Sequence, residues 1–401
     1  MKNDRRKVLV PLCAAMLLFV LAVCPLLAFD LGPPSDAGIN AALKQNVESG
    51  EEIAGVVTLV ARKDGKILGQ NVILSENAIG LADIDAGREM RTDDLFWIAS
   101  MTKPMTATAV MILVDEGKVS LDDPVTKFIP ALKNLMVVES KEDGRLVLTQ
   151  PVREVTIRHL LSHTAGFAFL SEIQGFGLDV IPLEYAALPS VTGPLQFQPG
   201  DKYLYSNQGI NIAGRVIEVA SGMSYAEFLQ QRLFDPLGMT DTTFWPNEVQ
   251  LARLAKSYRY NALQKKLEEV TVHYLNYPLY DRAKRYAEPG GGLFSTALDC
   301  SKFCLMLAND GKWGDKEILT KEAVAELKKD QTGDLKLNYG LCFDRSDNHF
   351  GHGGAYGTRL VVDTRRNIVS VFMVQCAGSP KSGSAMSDFN KAVDQLLEQN
   401  P

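Results

Sequence analysis

The chain has 401 residues, 46% of them hydrophobic, which is too long for one small domain and enough to bury a sizeable core. A net charge of −6 and a pI near 5.5, with no Lys/Arg cluster interleaved with aromatics, exclude a nucleic-acid-binding surface. Neither a C-x-x-C pair nor an H-E-x-x-H occurs, so a metal centre has no support, and no internal repeat is present.

In chain order, Lys2, Arg5, Arg6 and Lys7 precede an apolar run over residues 8–29 that ends in Leu26-Leu27-Ala28. This is the layout of a secretory leader over residues 1–28, cut after Ala28. The run is also long enough for a membrane anchor, although Pro25 near its end favours the leader. Either way the working domain, residues 36–400, is expected to be exported, with any membrane tether confined to residues 8–29. Residues 36–49 read as a helix. Residues 53–62, IAGVVTLVAR, read as a buried strand turning at Lys63-Asp64-Gly65 into a second. Near the other end, residues 339–343, 355–363 and 368–376 are strand-like, with Arg365-Arg366-Asn367 turning between the last two. Residues 384–399 form a closing amphipathic helix with Phe389, Val393, Leu396 and Leu397 on one face.

Between these ends the pattern is mainly helical, over residues 95–309. The expected fold is therefore α+β. Residues 36–94 and 310–400 supply one antiparallel sheet flanked by the terminal helices, and an all-helical domain is inserted between them. A site belongs in the groove between the two parts. Of the six cysteines, Cys13 and Cys24 lie in the leader. Cys300, Cys304, Cys342 and Cys376 suit core packing, with a disulfide as the lesser alternative.

Three short motifs carry chemistry. In WIASMTKPMTA, residues 97–107, Pro104 is tolerated only in the first turn of a helix, where backbone N–H groups lack intrahelical partners. The helix must then begin near Ser100 and stop at Gly117, with Lys103 one turn beyond Ser100 on the same face. An amine so placed takes a hydroxyl proton, and the helix N-terminus favours developing negative charge. Tyr205-Ser206-Asn207 follows the Pro199-Gly200 turn and opens another helix. A phenol shuttles protons beside a lysine, and a carboxamide holds a substrate amide. Tyr274-Leu275-Asn276 repeats the pattern, and position after the turn selects the first copy. His352-Gly353-Gly354 opens the strand-like run at 355, where glycines admit a substrate to the backbone. The N–H of Ala355 is placed to complete an oxyanion hole with that of Ser100. His349-Phe350-Gly351 matches the same pattern farther from that run.

In this order SMTK, YSN and HGG resemble the three motifs of the serine β-lactamase and penicillin-binding-protein superfamily. The closest likeness is to its branch of class C β-lactamases, D-alanyl-D-alanine carboxypeptidases and β-lactamase-like esterases. The flanks TIRHLLSHTAGF, FQPGDKYLYSNQG, LFDPLGMTDTTF and PGGGLFSTALD are similar too, so the likeness spans about residues 36–376. It implies the sheet-plus-helical-domain fold and a serine hydrolase without metal or cofactor, acting on a small ester, amide or peptide. Ser100 would be the acylated nucleophile, Lys103 its base and Tyr205 the proton shuttle. Asn207, His352, Gly353, Gly354 and Ala355 would bind substrate; His163 and Gly166 read as structural. The third motif departs from the Lys-Thr-Gly of most β-lactamases. A neutral imidazole binds a carboxylate less strongly than a fixed charge does, which favours an esterase or D-amino-acid peptidase over a dedicated β-lactamase. The absence of Gly-x-Ser-x-Gly counts against an α/β-hydrolase. The alternative is a protein that binds penicillin or cell-wall peptides without turnover.

Overall fold

The computed structural model describes residues 37–47, 53–63, 72–171 and 177–399. The expected leader and the Asp64-Gly65 half of the first turn lie outside the described residues. No helix among the described residues is long and apolar enough to cross a membrane.

One antiparallel sheet of seven strands organises the chain: β1 (Gly55–Arg62), β2 (Val72–Asp83), β3 (Arg88–Glu89), β4 (Asp344–Arg345), β5 (His349–Gly353), β6 (Arg359–Asp363) and β7 (Ile368–Met373). The strand order is β4-β5-β6-β7-β1-β2-β3, so β1 from the beginning of the chain pairs with β7 from its end. The two-residue period of a strand sorts its side chains onto two cores. Val57, Leu59, Ala61, Leu360, Val369 and Val371 enter the large core with α2 (Thr102–Asp115) and α4 (Ala297–Ala308). Val56, Val60, Ile368 and Phe372 face α1 (Ala37–Val47) and α5 (Pro380–Gln399), whose Ile39, Leu43, Phe389 and Val393 cover that face. The expected sheet from both chain ends, flanked by terminal helices, is what folds.

Three expectations need correction. Residues 339–343 are not a strand. Cys342 takes a positive φ of 59°, and the N–H groups of Leu341 and Cys342 donate to Leu327 and Leu161 instead of to a neighbouring strand. The edge strand is Asp344–Arg345. Residues 355–363 are not one strand either. His349–Gly353 is a strand of its own, a turn over Ala355–Gly357 follows with Tyr356 at φ 68°, and pairing resumes at Arg359. Both histidines of the competing H-x-G patterns therefore lie on β5. Finally, residues 95–309 are not wholly helical. Val137–Glu142 pairs with Arg145–Thr149 through Asp143-Gly144, both at positive φ, and Tyr258–Asn261 pairs with Lys266–Glu269. An Asp-Gly turn with both φ positive matches the twist of a two-stranded hairpin, which is a local signal the helical reading overlooked.

Candidate active site

Ser100 is presented by a tight connection. Phe96–Trp97 pairs with Phe294–Ser295, and the Ile98 N–H donates to the Leu293 carbonyl at 3.0 Å. Ala99 then adopts φ 45°, rare for a residue with a side chain, and a 3₁₀ turn over Ala99–Met101 leads into α2 at Thr102. Pro104 falls in the first turn of α2, as its missing N–H requires. Ser100 is left half-buried at the helix entrance, while residues 102–113 are all buried.

Lys103 points back along the helix, and its Nζ donates to Ser100 Oγ at 3.2 Å and to the Gly290 carbonyl at 2.5 Å. Nζ also lies 4.6 Å from the centroid of the Tyr205 ring. One turn further, Thr106 Oγ1 donates to the Pro289 carbonyl at 2.8 Å, so α2 grips the glycine loop of residues 289–292 at two successive carbonyls. That loop can only lie so close because it lacks side chains. A Cβ on Gly290 would come within 2.7 Å of Glu288 Oε1 and 2.8 Å of Asn207 Oδ1. Burial pushes the Lys103 pKa down to about 8, against an opposing pull from Glu288.

Tyr205 and Asn207 come from the start of α3 (Asn207–Ser221), whose N-cap is Ser206, accepting from the Gly209 N–H at 2.9 Å. Burial raises the pKa of the Tyr205 hydroxyl, against an opposing pull from the Ser100 side chain, so the phenol keeps its proton at neutral pH. Its ring rests against His163 at 4.4 Å, and the exposed Phe169 stacks on it at 6.1 Å. Asn207 is buried, and its Oδ1 has no hydrogen-bond partner among the described residues. The second Tyr-x-Asn lies elsewhere: the Asn276 N–H donates to Asp179 Oδ1 at 2.9 Å in a structural loop.

On the opposite side, Gly354 lets the β5–β6 connection press against the segment entering Ser100. A Cβ there would come within 2.4 Å of the Ile98 carbonyl oxygen. The Ala355–Gly357 turn packs against the 3₁₀ turn that carries Ser100, with Ala355 itself exposed. The His352 ring is buried behind Tyr205, the two rings 6.1 Å apart. Both its nitrogens are engaged inside the protein, Nδ1 with the Gly353 carbonyl at 2.6 Å and Nε2 with the Tyr339 hydroxyl at 3.3 Å. The first contact makes Nδ1 the donor and Nε2 the acceptor. Burial, aided by Lys103, pushes the His352 pKa down to about 4, so the ring is neutral at pH 7. His349 is exposed and bonds Ser346 instead.

Two further groups line this site: His163, which the sequence reading takes as structural, and Glu288, which it does not single out. His163 packs directly under Tyr205; its Nδ1 accepts from the Ser206 N–H at 3.2 Å, while its buried Nε2 has no partner among the described residues. Glu288, immediately before the glycine loop, is buried beside Lys103. Among the described residues neither carboxylate oxygen has a hydrogen bond of ordinary geometry, although the N–H groups of Gly290 and Gly291 lie near enough to favour the anion. Burial pushes its pKa up to about 7. No residue pattern marks Glu288. Only its place before a glycine run that packs on the Ser-x-x-Lys helix does.

A family model described as Beta-lactamase matches residues 43–395. The chain belongs to the β-lactamase family. Within that family it is similar to Protein Rv1367c of Mycobacterium tuberculosis, 31% identical over 91% of this chain and 96% of that protein. It is also similar to Esterase EstB of Burkholderia gladioli, 34% identical over 54% of this chain and 52% of the esterase. Among solved structures, EstCE1, described as a hydrolase with promiscuous acyltransferase activity, superposes with a TM-score of 0.73 at 23% identity. It covers 88% of this chain and 97% of its own. At that identity the likeness shows the β-lactamase fold, here with His352 and Gly353 at the end of β5 and Gly354 just beyond it. The four cysteines among the described residues are buried, and Cys300, Cys304 and Cys342 are free thiols.

Proposed function

We propose that this β-lactamase-family protein is an exported serine hydrolase that cleaves a small ester or amide through an acyl-enzyme on Ser100. The observation that carries the reading is the 3.2 Å contact between Lys103 Nζ and Ser100 Oγ, inside a site that strips water from the amine. As a free base, Lys103 takes the Oγ proton while Oγ bonds to the substrate carbonyl carbon. The N–H groups of Ser100 and Ala355 take the developing oxyanion. Tyr205, still protonated, passes its proton to the leaving alcohol or amine and recovers one from Lys103. A water then cleaves the acyl ester by the reverse relay, freeing the acid and Ser100. Asn207 and the backbone of Gly353, Gly354 and Ala355 hold the substrate. His352 acts behind them, since both its ring nitrogens are spent on Gly353 and Tyr339.

A neutral His352 offers no fixed charge to a substrate carboxylate, which favours neutral acyl esters or D-amino-acid peptides over β-lactams, and the esterase among the relatives supports the same direction. Hydrolysis of short-chain p-nitrophenyl esters, followed beside incubation with a penicillin, tests the reading. Ester turnover with slow or no penicillin consumption is expected. A penicilloyl adduct that persists, with no ester turnover, replaces this reading with that of a binding protein.

A further inference from the structure

Glu288 has no role in the relay just described, yet it occupies an expensive position. A buried carboxylate without hydrogen bonds is strongly disfavoured unless another charge compensates it or it takes a proton. Its oxygens find no full donor, and no ion-pair partner among the described residues lies within 4.0 Å. What faces it is the glycine loop. The peptide joining Gly290 to Gly291 has its N–H, that of Gly291, on the Glu288 side and its carbonyl on Lys103 Nζ, so a single rigid peptide separates carboxyl from amine.

We propose that Glu288 is a positioning residue for the proton on Lys103: carboxyl and amine share one proton, and when it rests on Glu288 the amine faces Ser100 as a free base. The exchange is balanced, because a lysine ammonium and a carboxylate become a neutral amine and a carboxylic acid with no proton gained or lost. It is an equilibrium statement and holds whichever route the proton takes. The inference rests on the acyl-enzyme reading above.

The surroundings support a shared proton. Burial drives Lys103 down to about 8 and Glu288 up to about 7, bringing together two groups that stand far apart in water. The other titratable groups around the pair do not take this part. Asp179 acts on Glu288 from the neighbouring loop but is tied to Arg285. Cys342 faces Lys103 as a thiol whose pKa burial pushes up to about 12. His163 and His352 are both held neutral by burial and by Lys103 itself. Tyr205 and Tyr225 are buried phenols with raised pKa values.

The pH dependence of fluorophosphonate labelling at the serine tests the proposal, since it reports nucleophile activation without substrate binding. In the wild type the rate rises with pH as Lys103 loses its proton. Glu288→Gln keeps the shape but removes the charge that holds a proton on the amine. Its acidic limb should therefore move to lower pH by about one unit, with KM for an ester substrate nearly unchanged. A purely structural Glu288 would lower stability and leave the limb where it was, and that result overturns the proposal. No labelling of the wild type at all would instead remove the acyl-enzyme reading. If the glutamine variant does not fold, infrared titration of the wild type decides. A protonated-carboxyl band whose onset lies above pH 6 is expected, and its absence overturns the proposal.

Discussion

Two buried cation–carboxylate sets lie within a few residues of each other and behave in opposite ways. Arg285 and Asp179 are almost fully enclosed, and their ion pair is 2.5 Å long. Arg285 also donates to the carbonyls of Phe244 and Leu279, and Asp179 accepts the Asn276 N–H. Burial raises the Asp179 pKa and lowers that of Arg285, but their mutual attraction opposes both. Lys103 and Glu288 are as deeply buried, but the lysine bonds only a serine and one carbonyl, and the glutamate bonds nothing fully. The satisfied set is a strut that ties residues 276–285 to the site. The unsatisfied set has spare proton capacity. Burial alone does not separate structure from chemistry; the completeness of the hydrogen bonding does.

The sharpest way to break this comparison is to remove each cation. Lys103→Met should lower ester turnover by about 10²- to 10⁴-fold, the usual contribution of a positioned base. It should cost stability no more than the ~1 kcal/mol of a lost hydrogen bond to Gly290. Arg285→Met should do the reverse, lowering folding free energy by about 3–5 kcal/mol because Asp179 is left buried and alone. Turnover per folded molecule should change far less. Chemical denaturation beside initial rates separates the two, and equal stability losses in both variants would erase the distinction. A milder test uses pH alone. If the free amine of Lys103 is the active form, kcat/KM rises about tenfold per unit as pH climbs toward 8 and then levels. A profile flat from pH 6 to 8 would contradict it. The smallest effect is expected at His349. It is exposed on the same strand as His352, so His349→Ala should stay within about 0.5 kcal/mol in stability and leave the rate unaltered.

How far the sequence could be read follows from which forces are local. The Ser100–Lys103 spacing was legible because a proline restricts where a helix starts, and a helix repeat then dictates who shares a face. The sheet from both ends was legible because its strands alternate over two cores. The register around His352 was misread by one turn. Glycines mark where backbone comes close, but nothing in a lone tyrosine says that Tyr356 takes a left-handed conformation and divides the run into two strands. Residues 339–343 look like a strand because they are apolar, yet their N–H groups are claimed by Leu161 and Leu327, far away in sequence. Glu288 was invisible for the same reason. Its burial depends on α2, on the glycine loop and on Asn207, three segments that meet only in the folded chain.

The most direct measurement is peptide mapping by mass spectrometry after reaction with a fluorophosphonate. A single adduct on Ser100, lost in Ser100→Ala while the variant remains folded, is the result that the paired Ser100 and Lys103 predict. An adduct on another serine, or undiminished labelling of Ser100→Ala, would contradict the account and move the nucleophile elsewhere.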